Sequence, residues 1–230
     1  MLRIAVGRVP AEPPAGNAPA GLGHDERRRW AALSCASRCE FAASRALLRD
    51  LLQAATGVRA EHWDVSARAG TAPLARADDT VEPGIALHVS LSHRLGWVAA
   101  AVAGVPVGMD VECDRAPRSD PAERAALMLA PSELADWGVL AAEERESGLL
   151  ARWTAKEAWF KASPPQAAAW DFRHVVASAC SPAKANVRTW RSPPLHVAVC
   201  CADAQALASV VCEGLPTAAI DCSFWHVARA

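Results

Sequence analysis

The alternation of apolar and polar positions divides the chain into two similar runs of elements. An apolar stretch at residues 3–9 predicts an opening strand, and the Pro-, Ala- and Gly-rich residues 10–23 predict a loop. Over residues 25–56 the apolar positions recur at helical spacing, with a break around residues 34–37 and a stop at Gly57. Phe41, Leu48, Leu51 and Leu52 form the apolar stripe, while Arg38, Arg45 and Arg49 run almost in line along the same helix. Taken alone, such a row is a solvated helix flank; its sharper reading is a set of phosphate contacts. Residues 58–84 show no clear period and read as irregular chain. Alternation returns at residues 86–93, 97–102 and 107–111, three strands that predict an antiparallel meander.

The pattern then starts again. A connection at residues 117–121 leads to helices at 122–129 and 132–140, the second with Ser132 as N-cap. A longer helix over 142–162 is ended by Ser163-Pro164-Pro165. Strand-like patches follow at 172–177, 187–190, 195–200, 207–212 and 223–228. Leu87-His88-Val89-Ser90-Leu91 is echoed by Leu195-His196-Val197-Ala198-Val199, and helices followed by a small sheet occur in both halves. The fold expected is α+β, a pseudo-dimer of two similar halves at 1–113 and 114–230, each a small antiparallel sheet packed with helices. The ligand site is expected in the cleft between them.

Composition narrows the class. With 52% hydrophobic and 21% charged residues in 230, the chain is globular and long enough for one large domain or two small ones. A net charge of −1 excludes a globally basic protein that coats nucleic acid. The eight cysteines include no CxxC pair, which argues against a zinc ribbon or a thioredoxin motif and for reduced thiols. The N-terminus lacks the apolar core of an export signal. The longest apolar run, residues 97–109, is short for a membrane span and is interrupted by Gly104, Pro106 and Gly108. A soluble, cytoplasmic monomer without a nucleic-acid or membrane partner is the expectation.

The candidate chemistry sits in residues 107–161. On a strand, Asp110 and Glu112 point to one face and offer the hard oxygen ligands that Mg²⁺ prefers. On the helix, Trp153, Lys156, Glu157, Phe160 and Lys161 fall at i, i+3, i+4, i+7 and i+8. Singly, the Asp-x-Glu is a solvated strand edge and Glu157 with Lys161 an ordinary helix pair. Jointly, after a long apolar run and between aromatics, they are charges that need partners. A metal beside cations points to phosphate chemistry, and Ser92-His93 lies at the polar tip of an earlier strand.

Read in order, Ser90-Leu91-Ser92-His93, then Val107-Gly108-Met109-Asp110-Val111-Glu112, then Trp153-Thr154-Ala155-Lys156-Glu157-Ala158-Trp159-Phe160-Lys161 resemble the 4′-phosphopantetheinyl transferases of the surfactin-synthetase-activating type. The resemblance covers residues 25–162 well and the remainder loosely. It implies a holo-[acyl-carrier-protein] synthase activity, the Mg²⁺-dependent transfer of the phosphopantetheine arm of coenzyme A to a serine of an apo acyl, peptidyl or polyketide carrier protein, releasing adenosine 3′,5′-bisphosphate. By position, Asp110, Glu112 and Glu157 match the metal-binding carboxylates, Ser92 and His93 the phosphate contacts, and Lys161 the pyrophosphate lysine. Arg38 and Arg45 lie where helix cations meet the 3′-phosphate, and Lys156 is grouped with the coenzyme contacts. Glu157 is the candidate base, with His93 and Lys161 as charge partners in catalysis.

Two segments depart from that family. The Gly-Lys-Pro or Gly-Arg-Pro triplet is replaced by Gly70-Thr71-Ala72-Pro73, with Arg76 nearby as a substitute, and the glycine-rich segment after the final lysine is replaced by Ser163-Pro164-Pro165-Gln166. The rival readings are a Mg²⁺-dependent phosphohydrolase and a non-catalytic module that binds coenzyme A or a carrier protein. Residues 127–137 are the expected docking region for the carrier.

Overall fold

The computed structural model describes residues 1–11, 18–19, 21–66, 72–78, 81, 84–114, 120–163, 171–216 and 221–230. In chain order the elements are β1 (Leu2–Arg8), α1 (His24–Ala31), α2 (Cys35–Thr56), β2 (Trp63–Val65), β3 (Leu74–Ala77), β4 (Ala86–Arg94), β5 (Trp97–Ala103) and β6 (Val107–Cys113). They continue with α3 (Pro121–Met128), α4 (Pro131–Gly138), α5 (Ala142–Ala162), β7 (Val175–Ala179), β8 (Val187–Ser192), β9 (Leu195–Cys201), α6 (Ala204–Ser209), β10 (Cys212–Glu213) and β11 (Asp221–Arg229). The fold is α+β, as expected. Two compact units emerge, residues 1–107 with 210–215 and residues 108–209 with 216–230. The division falls before Gly108 rather than after Cys113, so the strand bearing Asp110 and Glu112 lies in the second unit. No helix among the described residues is long and apolar enough to cross a membrane.

In the first unit the sheet runs β10-β1-β5-β4-β3-β2 and α2 covers one face. Ser34 starts α2 by accepting from the Ser37 N–H, and Gly57, at φ 79°, ends it with its N–H on Gln53 O at 2.8 Å. Leu48, Leu51 and Leu52 of the stripe pack on Trp63, Val65, Leu87, Val89, Ala100 and Val102. Each side chain of leucine size contributes about 1.5–3 kcal/mol when removed from water. Strands β2 and β3 fall within the stretch read as irregular; at three and four residues they are too short to show a period.

β6 does not complete a meander. β5 already has a full ladder on each side, to β1 and to β4, so no edge is left for β6, which joins the sheet β6-β9-β8-β11-β7 of the second unit. There Ala155 and Ala158 of α5 pack on Val175, Val187, Ala198, Cys200, Trp225 and Val227. A second cluster, Ala125, Leu129, Trp137 and Leu149, joins α3 and α4 to α5. α4 starts earlier than Ser132: Ala130 is its N-cap residue, Pro131 takes the first turn, and the Glu133 carboxylate accepts from Ala130 N at 2.7 Å. Residues 207–212 are not one strand. Asp203 accepts from the Ala206 N–H to start α6, and β10 pairs in parallel with β1 of the first unit.

The two units share an order of elements. In one, β1 precedes α2 and ends up beside β5 of the β4–β5 hairpin; in the other, β6 precedes α5 and ends up beside β9 of the β8–β9 hairpin. By this correspondence β9 matches β5, whereas the pentapeptide echo lies on β4 and β9. The echo therefore links strands at different sheet positions and does not mark the repeat.

Candidate functional site

In the second unit, Gly108, Asp110 and Glu112 alternate onto one face of β6, and that face meets the last turns of α5. A Cβ on Gly108 would stand 1.9 Å from Ala158 O and 2.5 Å from Ala162 N, both backbone atoms. Only glycine lets the helix backbone come this close to the strand. The approach places Lys161 so that its Nζ donates to Met109 O at 3.2 Å and to Asp110 Oδ1 at 2.6 Å. Asp110 is 5% exposed, whereas the Lys161 side chain keeps 29% of its surface in water, so only the carboxylate end of this ion pair is desolvated. We expect Gly108→Ala to lower the unfolding free energy by about 2–3 kcal/mol, because backbone cannot yield as a side-chain tip can. A urea denaturation midpoint equal to that of the native chain would contradict so close a packing.

Glu157 lies one helical turn before Lys161 and completes the group. Burial first, and then the Asp110 charge with a smaller contribution from Glu112, push its carboxyl above the ordinary glutamate range, while Lys161 opposes the shift. Three carboxylates against one ammonium leave an excess of negative charge, and hard oxygen donors on two rigid elements suit a divalent cation. The donor chemistry fits magnesium. Among the described residues, however, no three His, Cys, Asp or Glu side chains are gathered into a ready metal cage. Lys161 holds Asp110 Oδ1 instead.

Lys156 is corrected from a coenzyme contact to a core residue. It is fully buried, and its Nζ donates to Met128 O at 2.9 Å, to Phe172 O at 3.0 Å and to the Glu133 carboxylate. An ammonium has three N–H groups and all three are used. Burial pulls its pKa down, against the hydrogen bond and charge of Glu133. Glu133 also accepts from Ala130 N and Ala177 N, tying α4, α5 and β7 together. The aromatics of the same helix go elsewhere: Trp153 and Phe160 pack on Phe172, with ring centroids 4.7 and 6.5 Å away.

The other sequence-predicted residues lie in the first unit. Ser92 is buried on β4 opposite Ala99. His93 is exposed at the end of that strand, its Nδ1 3.2 Å from Glu40 Oε2 of α2. Arg38 spends its Nε and Nη2 on Trp30 O and Ala31 O, closing the end of α1. Arg45 and Arg49 are buried around Glu26, itself fully buried: Arg45 Nε is 3.3 Å from Glu26 Oε1, and Arg49 forms a two-pronged contact. The arginine row is thus mainly a clamp between α1 and α2. Arg45 Nη1 is buried without an acceptor among the described residues, which leaves one donor for an anion.

Of the two departures, Gly70, Thr71, Pro164, Pro165 and Gln166 lie outside the described residues. Arg76 is exposed on β3, opposite Asp64. In the expected docking region Leu127 is 70% exposed, but Trp137 is buried with its Nε1 on Arg145 O at 2.8 Å. Trp137 is a core residue, whereas Leu127 stands on the surface.

Comparison with known proteins adds one finding. Residues 106–212, a little under half of the chain, match the family model described as ACPS, the 4′-phosphopantetheinyl transferase superfamily. The match takes in Asp110, Glu112, Glu157 and Lys161 and stops short of Ser92, His93 and the arginines. No curated protein matches the chain.

Proposed function

From that match and the β6–α5 cluster, we propose that the protein is a 4′-phosphopantetheinyl transferase of the surfactin-synthetase-activating type, built as a pseudo-dimer and using coenzyme A, Mg²⁺ and an apo carrier protein. The observation that carries the reading is the junction of Gly108, Asp110, Glu157 and Lys161, held by backbone contact between the two elements that bear the family's motifs. The carrier serine Oγ attacks the phosphorus next to the pantetheine arm. The bond from that phosphorus to the bridging pyrophosphate oxygen breaks, and adenosine 3′,5′-bisphosphate leaves.

Each residue has a task in that step. Glu157, whose carboxyl is raised by burial, takes the proton from the serine hydroxyl, for which an ordinary carboxylate is a weaker base. Lys161 places a positive charge where the leaving phosphate gathers negative charge, and Asp110 fixes its position. A magnesium ion held by Asp110, Glu112 and Glu157 would offset the pyrophosphate charge that repels the nucleophile. Arg45, with its remaining donor, Arg38, Ser92 and His93 are the proposed coenzyme contacts of the first unit.

The test is release of adenosine 3′,5′-bisphosphate from coenzyme A with and without an apo carrier. Release that requires the carrier supports transfer. Release without it would make the protein a phosphohydrolase, and coenzyme binding without release under either condition would make it a binding module.

Metal-free stability gives a further check. A carboxyl with a raised folded pKa contributes stability below its unfolded pKa and loses it as pH rises through the folded value. As pH rises past the ordinary glutamate range, the Glu157 carboxyl therefore costs the folded state. Glu157→Gln is expected to raise the melting temperature of the metal-free chain and to abolish the extra rise that Mg²⁺ gives the native chain. A variant that still gains as much from Mg²⁺ would remove Glu157 from the ligand set.

A further inference from the structure

A cavity of about 340 Å³ opens within the second unit between the first half of α5 and β8, β9 and β11. None of Asp110, Glu112, Glu157 and Lys161 lines it. Its helical wall carries only small side chains at Ser147, Gly148 and Ala151, so these positions of α5 leave the space open. Exposed Glu144, Arg191 and Asp221 on its rim make it a cleft open to solvent, and the volume lies in the range of small-ligand sites.

The lining has a definite chemistry. Arg152 reaches over the cavity wall with Nη1 on Gly148 O at 3.2 Å and its guanidinium carbon 5.6 Å from the Trp225 ring centroid. Its Nε is buried without an acceptor among the described residues, a donor that an anion would satisfy. Trp225 uses its own N–H on Thr189 Oγ1 at 2.9 Å, so what it presents to a ligand is an apolar face. Arg191, exposed on β8, adds a second cation beside this wall. Glu144 and Asp221, both exposed, add negative charge that repels polyanions such as di- and triphosphates.

We propose that this cavity binds a small monocarboxylic acid with a flat apolar body, the carboxylate on the guanidinium of Arg152 and the body against Trp225. Guanidinium and carboxylate match in plane and spacing, and the single charge of the ligand is tolerated where a multiple one is not. The site is separate from the carboxylate cluster of β6 and α5, and it stands whether or not that cluster transfers phosphopantetheine.

Benzoate, phenyl phosphate and benzylamine are suitable probes, titrated into the full-length ¹⁵N-labelled chain while the tryptophan indole N–H signals are followed. Benzoate is expected to shift the Trp225 signal saturably in the millimolar range, phenyl phosphate to bind about tenfold more weakly, and benzylamine to leave it unmoved. Arg152→Met should weaken benzoate by about tenfold or more. Because Arg152 also packs on Trp225, Ser147→Leu, which fills the cavity from the helix side, gives an independent loss of binding. The proposal is overturned if benzoate leaves the Trp225 indole signal unmoved, if benzylamine binds as well as benzoate, or if the folded variants bind benzoate like the native chain.

Discussion

Asp110→Asn is expected to lower kcat/KM for carrier modification by about 10³-fold, roughly 4 kcal/mol of transition-state stabilisation, with little change in the melting temperature. The substitution keeps the volume of a side chain that is 5% exposed and keeps an oxygen for Lys161 Nζ, so α5 and β6 remain joined. What it removes is one negative charge from the pair of carboxylates on β6. On the proposed function that charge serves twice: it would help hold a Mg²⁺ ion, and it keeps Lys161 aimed beside the strand. Carrier modification measured against Mg²⁺ concentration separates the two, since loss of a ligand raises the Mg²⁺ requirement whereas misdirection of Lys161 lowers the rate at saturating Mg²⁺. Unchanged turnover would exclude Asp110 from the site.

The largest effect on stability is expected at the other lysine of the same helix. Lys156→Met removes the cation from Glu133, whose side chain is only 2% exposed, and should cost about 3–5 kcal/mol because a carboxylate is left buried and unbalanced. Glu133→Gln alone should cost a similar amount, since the ammonium is then the orphan, although the substituted amide would retain an acceptor for Ala130 or Ala177 N–H. The double variant should be clearly less damaging than the sum, as expected for partners in one network. Urea unfolding of the four chains checks this. If Lys156→Met left stability intact but reduced coenzyme affinity, Lys156 would return to the coenzyme site and its structural assignment would fail.

These two lysines mark the limit of what local sequence pattern can resolve. Lys156 and Lys161 share a broad face of α5, but five residues at about 100° each put them roughly 140° apart. One turns into the core of α3, α4 and β7 and the other toward β6. Local pattern places both on the helix. It cannot separate them, because their partners Glu133 and Asp110 stand 23 and 51 residues away. The helices themselves are legible where chemistry marks their ends: Ser34 and Gly57 bound α2, and the residues after Ala162 end α5 at the position expected. Strand partners are less so. β6 reads as the third strand of a meander because sequence neighbours usually pair, whereas both edges of β5 are already taken by β1 and β4.

Among the candidate site residues, Asp110, Glu157 and Lys161 lie together, and the reason for glycine at 108 becomes visible only with the helix backbone against it. Arg45 shows the opposite limit. Its spacing along α2 suggests a phosphate contact, but Glu26, on the separate helix α1 before the break, forms an ion pair with it. Arg152 is silent in the sequence, since one arginine in a helix with mixed charges gives no signal until a cavity is seen beside it.

The most direct measurement is the intact mass of apo carrier proteins after incubation with this chain, coenzyme A and Mg²⁺. Fatty-acid, polyketide and peptide carriers together form the panel. A transferase should add the mass of a single phosphopantetheine arm to at least one carrier, with no gain when Mg²⁺ is chelated or Asp110→Asn is used. No gain on any carrier, with a folded protein and coenzyme A present, would contradict that function.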